Sequence, residues 1–335
     1  MTVPQPRFAV IGATGFIGRR LCRRILGEGG EVTALVRRSS ARQAITGRGV
    51  RQVTGDLITG EGLREVVRDV DFVVHLGGLV KSPTVEGFRQ CNEEGTRRLA
   101  EELAALPAPP PLVLCSSLAA AGPSDDGRPR REEDLPAPVS HYGRSKLAAE
   151  EAVRALADLV PATIVRPPVV YGPGDPAFLP SLLPMVRAGV VLKAGLGPRG
   201  YSLVHVDDLC GALLAAAVRG RRLTAAEPTA GVYTVSDGVI HTWEGVSGAL
   251  ARALGRRRAP LVLPVPLPLV RTAALGAELA GRLRGGYPPL NRDKAGELTS
   301  AWWTCTTERA RRELGFVAAV RLEDGLAELL SGRSR

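Results

Sequence analysis

Tyr142 and Lys146 lie four residues apart in the stretch "YGRSK", so a helix would bring both side chains onto one face. A tyrosine phenol has a reference pKa of about 10, too high for proton transfer at neutral pH, and a neighbouring ammonium lowers that pKa by favouring the phenolate. The chain otherwise strongly prefers arginine. An arginine has a rigid fork and a higher pKa, so it could not replace this lysine equally well. The pair is therefore suited to proton transfer.

Two serines, Ser116 and Ser117, end an apolar run in "VLCSSLAAAG" upstream of this pair. Ligand sites in α/β sheets form at the carboxyl ends of the strands. A serine hydroxyl at such a position could bind a substrate carbonyl while Tyr142 gives a proton to the oxygen that receives a hydride. The three residue types together predict reduction of a carbonyl or oxidation of an alcohol.

Three glycines, Gly12, Gly15 and Gly18, follow the apolar stretch "FAVI" near the start of the chain and precede a helical pattern. The first glycine would allow a tight turn, the second a close approach of a pyrophosphate, and the third close packing of the helix on the strand. The helix N-terminus would then face the phosphates. In this strand, loop and helix context, the spacing predicts a dinucleotide-binding loop.

The end of the second strand indicates which dinucleotide is bound. An acidic residue there would grip a ribose 2′-hydroxyl, but the sequence has Val36 followed by Arg37 and Arg38. Two guanidiniums are suited to a 2′-phosphate, so the sequence favours NADP, with NAD as the alternative. Asp56 follows the third strand and would either accept a hydrogen bond from the adenine amino group or cap a helix.

Apolar β-branched runs alternate with helical patterns through the first half of the chain. This alternation predicts an α/β fold with a doubly wound parallel sheet. The stretch "PATIVRPPVVYGPGD" is predicted as a sixth strand, with further strands in "YSLVHV" and "GVYTVSD". The run "APLVLPVPLPLV" is too short for a membrane span and is interrupted by prolines, so burial under a helix is expected, with peripheral contact to a membrane surface as the alternative.

The composition of the 335 residues is that of a globular protein with a net charge of +10. The arginines are spread along the chain without interleaved aromatic residues, so we expect no nucleic-acid partner. The five cysteines are odd in number and never at C-x-x-C spacing, and the first thirty residues lack a signal-peptide pattern; both indicate a cytoplasmic protein. His75, His141 and His205 show no metal-ligand spacing, so we expect no metal and assign them structural roles.

The chain resembles the extended short-chain dehydrogenases/reductases, which belong to the superfamily of NAD-dependent epimerases and dehydratases. The resemblance rests on "GATGFIG", "GDL", "VVHLGG", "CNEEGT", "SSLAAAG", "YGRSK", "RPPVVYGPGD" and "HVDDL", which cover most of the first 210 residues. It implies that Ser117, rather than Ser116, is the catalytic serine, that Tyr142 is the general acid/base, and that Lys146 binds the ribose hydroxyls. One departure is the pair Gly77 and Gly78, where the family usually has alanines.

The resemblance also implies a Rossmann fold with a smaller, discontinuous C-terminal substrate lobe. Residues 1–171 and 201–238 would form the NADP-binding domain, and residues 172–200 and 239–330 the substrate-binding lobe. By analogy with many relatives, a homodimer is expected. The predicted cofactor-binding residues are Gly12, Thr14, Gly15, Phe16, Ile17, Gly18, Arg37, Arg38, Asp56, Leu57, Leu76, Gly77, Tyr142, Lys146 and Pro168.

The predicted reaction interconverts a ketone and a secondary alcohol on a mostly apolar small molecule. Family dehydratases usually have Asp-Glu after the hydroxyl residue, where this chain has Leu118 and Ala119. Sugar-nucleotide enzymes often have an asparagine where this chain has Val169. These features resemble the dihydroflavonol reductase and 3β-hydroxysteroid dehydrogenase branch. The alternatives are a nucleotide-sugar epimerase and a non-catalytic NADP(H)-binding sensor or scaffold.

Overall fold

The computed structural model of the protein describes residues 5–40, 45–283, 288 and 291–331. Part of the predicted substrate lobe, residues 284–287 and 289–290, lies outside the described residues. The strands are β1 (Arg7–Ile11), β2 (Glu31–Val36), β3 (Val50–Thr54), β4 (Phe72–His75), β5 (Leu112–Cys115), β6 (Ala162–Arg166), β7 (Val169–Tyr171), β8 (Val190–Ala194), β9 (Gly200–Tyr201), β10 (Leu203–His205), β11 (Val232–Thr234), β12 (Leu261–Val265) and β13 (Trp302–Trp303).

The α-helices alternate with the strands in the first half of the chain and dominate its second half. They are α1 (Phe16–Gly27), α2 (Leu63–Val67), α3 (Val85–Phe88), α4 (Gly95–Ala104), α5 (Leu118–Ala121), α6 (His141–Arg154), α7 (Phe178–Ala188), α8 (Val206–Arg219), α9 (Trp243–Ala253), α10 (Leu267–Leu283), α11 (Arg292–Thr299) and α12 (Leu322–Ser331). Two short π-helical segments, Arg89–Glu94 and Ala310–Leu314, complete the helical structure that is described.

Seven parallel strands form the central sheet in the order β11-β6-β5-β4-β1-β2-β3. The inner strands are apolar runs without alternation, because helices cover both faces; β5 and β6 are buried at every residue. Helices α1 and α8 pack on one face, and α2, α4 and α6 pack on the other. This architecture confirms the predicted doubly wound α/β fold.

The chain runs outward from β1 in one direction and from β4 in the other, so the strand order reverses between these two neighbours. Ligands of open α/β sheets bind outside the carboxyl ends of the strands at such a reversal. The loops that follow β1 and β4 therefore form the expected binding crevice.

The predicted sixth strand is in fact two strands, β6 and β7, separated by Pro167 and Pro168. Proline cannot donate a hydrogen bond to a neighbouring strand, so the chain leaves the central sheet at this point. The second strand, β7, pairs with β10 in a separate two-stranded sheet. The strand predicted in "YSLVHV" therefore lies outside the central sheet, and β11 occupies the edge position beside β6.

A third cluster of buried side chains lies outside the central sheet. It gathers residues of β7, α7, β8, α9 and α12, including Tyr171, Leu182, Val191, Leu250 and Leu326. The run "APLVLPVPLPLV" forms β12 and the start of α10, and β12 pairs with β8. The predicted burial of this run is wrong: Leu261, Leu263 and Leu269 are exposed, because β12 lies in a two-stranded sheet with one face open to solvent. The division of the chain into a cofactor domain and a substrate lobe stays a prediction.

No helix within the described residues combines the length and the apolar character that a membrane crossing requires.

Candidate active site

The glycine loop joins β1 to α1 with the geometry that a pyrophosphate requires. Gly12 has a φ of +87°, and a Cβ there would lie 2.8 Å from the backbone of Leu76 and Gly77. A Cβ on Gly18 would lie 2.2 Å from the carbonyl oxygen of Gly12. Gly15, the residue directly before α1, supplies no side-chain cap, and the first turn carries no acidic residue. Free N–H groups and the positive end of the helix dipole thus fit a phosphate anion.

Several other predicted cofactor-binding residues line the same crevice. The amide of Leu76 donates to the carbonyl of Ile11 over 2.8 Å, which places the loop after β4 beside the loop after β1. A Cβ on Gly77 would lie 3.2 Å from atoms of both Ile11 and Leu57. Leu57, Leu76 and Gly77 therefore come together at the glycine loop.

The remaining members of the predicted set lie around this crevice. Thr14, Phe16 and Ile17 are partly buried in the loop and in the first turn of α1. The ring of Phe16 is 3.7 Å from the position of a Cβ on Gly174, in the turn that follows β7. Pro168 lies between β6 and β7 and is also partly buried.

Arg37 and Arg38 follow β2, and both are exposed. Arg38 pairs with Glu61 at 3.1 Å, whereas Arg37 makes no ion pair with any described residue. Burial raises the pKa of the Cys91 thiol. The Asp56 charge raises this pKa further and the Arg37 charge lowers it, so Asp56 and Arg37 both lie near Cys91. Arg37 is thus the better placed of the two arginines to meet an anion.

Asp56 does not cap α2, since Gly62 is the residue before that helix, so the helix-cap alternative is wrong. Its Oδ1 accepts a hydrogen bond from the amide of Ile58 at 2.7 Å, which closes a local turn after β3. No adenine contact is needed to account for the side-chain conformation.

Helix α6 carries Tyr142 and Lys146 on adjacent turns, and Ser140 caps its start by accepting from the Gly143 amide at 2.9 Å. The Tyr142 hydroxyl lies close enough to the side chain of Ser117, at the carboxyl end of β5, for Ser117 to lower its pKa, and the Ser117 hydroxyl oxygen accepts from the Ala119 amide at 3.1 Å. Lys146 is buried, and its Nζ donates to the carbonyl of Cys115 at 2.8 Å. The structure therefore brings Ser117, Tyr142 and Lys146 together.

The other serine, Ser116, has a different environment. Its hydroxyl donates to Glu150 at 2.5 Å, and Glu150 forms a buried ion pair with Arg166, also at 2.5 Å. Ser116 is thus part of a buried polar network behind β5, away from the Tyr142 hydroxyl.

Burial has the largest effect on the pKa values of Tyr142 and Lys146. It raises the pKa of the Tyr142 phenol, while the Ser117 side chain acts in the opposite direction. Burial also lowers the pKa of the Lys146 ammonium. The phenol therefore keeps its proton at neutral pH in the chain alone, and a lowering of its pKa by Lys146 stays a prediction.

The histidines make local contacts. His75 is buried, contacts the Thr96 hydroxyl at 2.9 Å, and has its pKa lowered to about 3 by burial and by the Lys146 charge. His205 caps α8 by accepting from the Asp207 amide at 3.3 Å. The backbone amide of His141, the first residue of α6, donates to the Asp293 carboxylate. No cluster of three metal-ligating side chains occurs within residues 5–40, 45–283, 288 and 291–331.

Two groups of contacts at this site join separate segments of the chain to α6, and only the first involves a motif noted in the sequence, Asn92 of "CNEEGT". Asn92 accepts from the Leu79 amide at 2.7 Å and donates to the Ser145 hydroxyl at 2.8 Å, which ties the loop after β4 to α6. Asp293 of α11 accepts from the amides of His141 and Tyr142. The Asp293 contact joins segments about 150 residues apart, so no local pattern could have indicated it.

Comparisons with known proteins indicate the family of the chain. The profile of the NAD dependent epimerase/dehydratase family matches residues 8–228. The ceramide reductase of Caulobacter vibrioides is 33% identical over 298 residues, which cover 88% of this chain and 85% of that protein. The 2-alkyl-3-oxoalkanoate reductase of Stenotrophomonas maltophilia is 29% identical over 334 residues, covering 96% and 98%.

A solved structure extends the likeness to the three-dimensional fold. MoeE5 in complex with UDP-glucuronic acid and NAD has a TM-score of 0.74 and 27% identity, over 97% of this chain and 98% of that one. The profile match, the two reductases and the crevice with its glycine loop all indicate the same family. The chain therefore belongs to the NAD dependent epimerase/dehydratase family and is an NAD(P)-dependent enzyme of the extended short-chain dehydrogenase/reductase type.

Proposed function

We propose that this enzyme uses NADP(H) to interconvert a ketone and a secondary alcohol on a mostly apolar small molecule. The observation that carries the proposal is the juxtaposition of Ser117, Tyr142 and Lys146 beside the carboxyl end of β5. The glycine loop would hold the pyrophosphate of the cofactor at the start of α1. The bound nicotinamide would supply or accept the hydride at the substrate carbon.

Each of the three residues has a separate role in this proposal. Ser117 donates a hydrogen bond that positions the substrate carbonyl, and Tyr142 gives a proton to the same oxygen. Lys146 binds the ribose hydroxyls and places a positive charge near the phenol, which lowers its pKa. The raised pKa of Tyr142 in the chain alone supports reduction, because the phenol starts the reaction protonated.

Arg37 is proposed to select NADP over NAD. The guanidinium makes no ion pair with the described residues and shares the region of Asp56 and Cys91. A bidentate contact with a 2′-phosphate would use this free charge. Arg38, already paired with Glu61, is assigned at most a minor role.

The apolar character of the substrate is supported by the named reductases and by a cavity beyond β8 and β12. Both relatives act, by their names, on lipid-like molecules. The cavity has a volume of about 460 Å³, and its lining is formed by Gly195–Arg199, Pro266–Pro268, Thr299 and Ala301. Arg199 is buried and donates to the carbonyls of Leu298 and Ser300, both at 2.7 Å, so its guanidinium is occupied. We propose that residues 172–200 and 239–330 form the lobe that holds this substrate.

A nucleotide-sugar epimerase is the second candidate, favoured by the likeness to the complex of MoeE5 with UDP-glucuronic acid. The two functions differ in what they require of the substrate lobe. A sugar diphosphate needs a free cationic group in the cavity, whereas the cationic residue of its lining, Arg199, is bound to backbone carbonyls. This contact of Arg199 is the reason to prefer a ketone over a nucleotide sugar as the substrate.

A fluorescence titration with NADPH and NADH tests the cofactor assignment. We expect wild type to bind NADPH more tightly than NADH, and Arg37→Ala to lose at least tenfold of the NADPH affinity because a charged hydrogen bond contributes about 1.5–3 kcal/mol. Arg38→Ala serves as the matched control and should change little. Equal affinity of wild type for the two cofactors would contradict the role of Arg37.

Steady-state turnover on apolar ketones and on UDP-sugars tests the reaction. We expect NADPH-dependent reduction of a ketone, with a loss of about 100-fold or more in Tyr142→Phe, because positioned proton transfer contributes roughly 10²–10⁴ to the rate. An unchanged free energy of unfolding in the variant provides the folding control. Interconversion of UDP-sugars without ketone reduction would transfer the assignment to the epimerase.

A further inference from the structure

The small parallel sheet of β8 and β12 presents an aliphatic face to solvent. The strand register places Leu261 beside Val190 and Leu263 beside Leu192. All four side chains are exposed, from 37% for Val190 to 61% for Leu261, while Val191 is buried on the opposite face. Single exposed aliphatic residues are common, but four adjacent ones on one face indicate an interaction surface. Val190, Leu192, Leu261 and Leu263 are called the aliphatic ribbon below.

Four arginines lie where the two strands of the ribbon begin. Arg256 donates to the carbonyl of Arg187 at 2.6 Å, and the next element along the chain is β12 itself. All four are exposed, and none forms an ion pair with a carboxylate in the part of the chain that the structure describes. This arginine cluster comprises Arg187, Arg256, Arg257 and Arg258.

We propose that the aliphatic ribbon and the arginine cluster dock the enzyme on the surface of an anionic phospholipid membrane. The aliphatic side chains would enter the boundary between headgroups and acyl chains, and the arginines would bind the phosphates beside them. Near an anionic surface, each arginine strengthens binding by about fivefold. Apolar and basic residues side by side are the combination that such a surface recognises.

Charge argues against a second copy of the chain as the occupant. A two-fold interface uses the same patch on both subunits. With the strands of the two subunits parallel, it would bring two unpaired arginine clusters together, which repulsion between like charges opposes; with the strands antiparallel, it would leave each cluster without a counter-charge. An anionic membrane neutralises the arginines in either case. The docking surface therefore fits a lipid bilayer better than a homodimer.

The aliphatic ribbon lies next to the proposed substrate cavity, so membrane docking would place that cavity near the lipid. The cavity lined by Gly195–Arg199 and Pro266–Pro268 starts directly after β8 and β12, at the end of the ribbon opposite the arginine cluster. An apolar substrate could pass from the membrane into this cavity without crossing water. This route rests on the proposed function, but the docking itself does not.

Flotation of the full-length enzyme with lipid vesicles tests the proposal without substrate or cofactor. The vesicles contain either phosphatidylcholine alone or an equal mixture with phosphatidylglycerol. We expect binding to the mixed vesicles only, weakened on the order of 100-fold in the triple variant Arg256→Gln, Arg257→Gln, Arg258→Gln. The double variant Leu261→Ser, Leu263→Ser should lose at least about tenfold, because it removes apolar side chains from the bilayer.

The matched control is the triple variant Arg64→Gln, Arg68→Gln, Arg131→Gln. It removes the same charge from exposed arginines elsewhere on the described surface, and it should bind vesicles nearly as wild type does. Equal losses in the two triple variants would reduce the effect to net charge and overturn the proposal. Failure of wild type to bind mixed vesicles would overturn it as well.

Two further measurements separate this proposal from its alternatives. Light scattering that shows a dimer dissociated by Leu261→Ser, Leu263→Ser would assign the ribbon to a second copy and overturn membrane docking. Turnover of a short, water-soluble ketone should be the same in wild type and in both docking variants. Loss of vesicle binding with that turnover intact would support docking, and absence of turnover in all proteins would reject only the proposed function.

Discussion

At the scale of single residues, Ser116 and Ser117 are adjacent in the chain but have different partners. Ser117 lies at the surface of the crevice, where its side chain is close to the Tyr142 hydroxyl and accepts from the Ala119 amide. Ser116 is buried and donates to Glu150, whose carboxylate also binds Arg166. Successive residues of an extended backbone point to opposite sides, which accounts for the separation. One serine therefore belongs to the proposed reaction and the other to the interior.

Alanine substitutions should separate the two serines cleanly. Ser117→Ala should lower kcat for ketone reduction by about 100-fold, because a hydrogen bond to the developing charge is lost. Ser116→Ala should keep turnover but lower the free energy of unfolding by about 1–3 kcal/mol, because it removes a partner from a buried carboxylate. Kinetics and urea unfolding on the same preparations measure both effects. Loss of turnover in Ser116→Ala with little change in Ser117→Ala would reverse the assignment.

At the scale of elements, α11 fixes the start of α6, the helix that carries Tyr142. Asp293 accepts from the backbone amides of His141 and Tyr142, and Glu297 accepts from the Ser140 hydroxyl at 2.8 Å. The first amides of a helix lack intrahelical partners, and a carboxylate satisfies them while it interacts favourably with the helix dipole. The C-terminal part of the chain therefore positions Tyr142 through the backbone of α6.

Removing the Asp293 carboxylate should impair turnover more than cofactor binding. We expect Asp293→Ala to lower kcat by about tenfold, because small displacements of a catalytic group are costly, and to leave the NADPH Kd unchanged. Asp293→Asn should restore part of the loss, since an amide oxygen still accepts hydrogen bonds. Asp126→Ala, which removes a local cap on the Arg128 amide, is the control. A wild-type kcat in Asp293→Ala would show that α11 does not position Tyr142.

The elements also show what the sequence alone could and could not predict. The glycine loop and the Tyr142 and Lys146 pair depend on spacings of three or four residues, so local patterns were sufficient. The seven-stranded sheet confirmed the predicted fold class, but Pro167 divided one predicted strand into β6 and β7. The contact of Asp293 with α6 depends on packing between distant segments. Only the folded chain could reveal it.

At the scale of the whole molecule, a buried histidine links stability to pH. His75 ends β4 inside the sheet, is fully buried, and lies close enough to Lys146 for that charge to disfavour its protonation. Burial lowers its pKa from 6.5 to about 3. The unfolded chain therefore binds a proton below pH 6.5 that the folded chain does not bind until about pH 3.

This difference predicts that stability falls on acidification through the histidine. The contribution of His75 is fully present above pH 6.5 and is lost progressively as the pH falls toward 3. At pH 5 the loss amounts to about 2 kcal/mol. Urea unfolding at pH 8 and pH 5 measures it, with His75→Gln as the reference, because the carboxylates titrate alike in both proteins. Wild type should lose about 2 kcal/mol more than the variant between the two pH values. Equal losses would mean that His75 is not the acid-sensitive group, whatever the absolute stability of the variant.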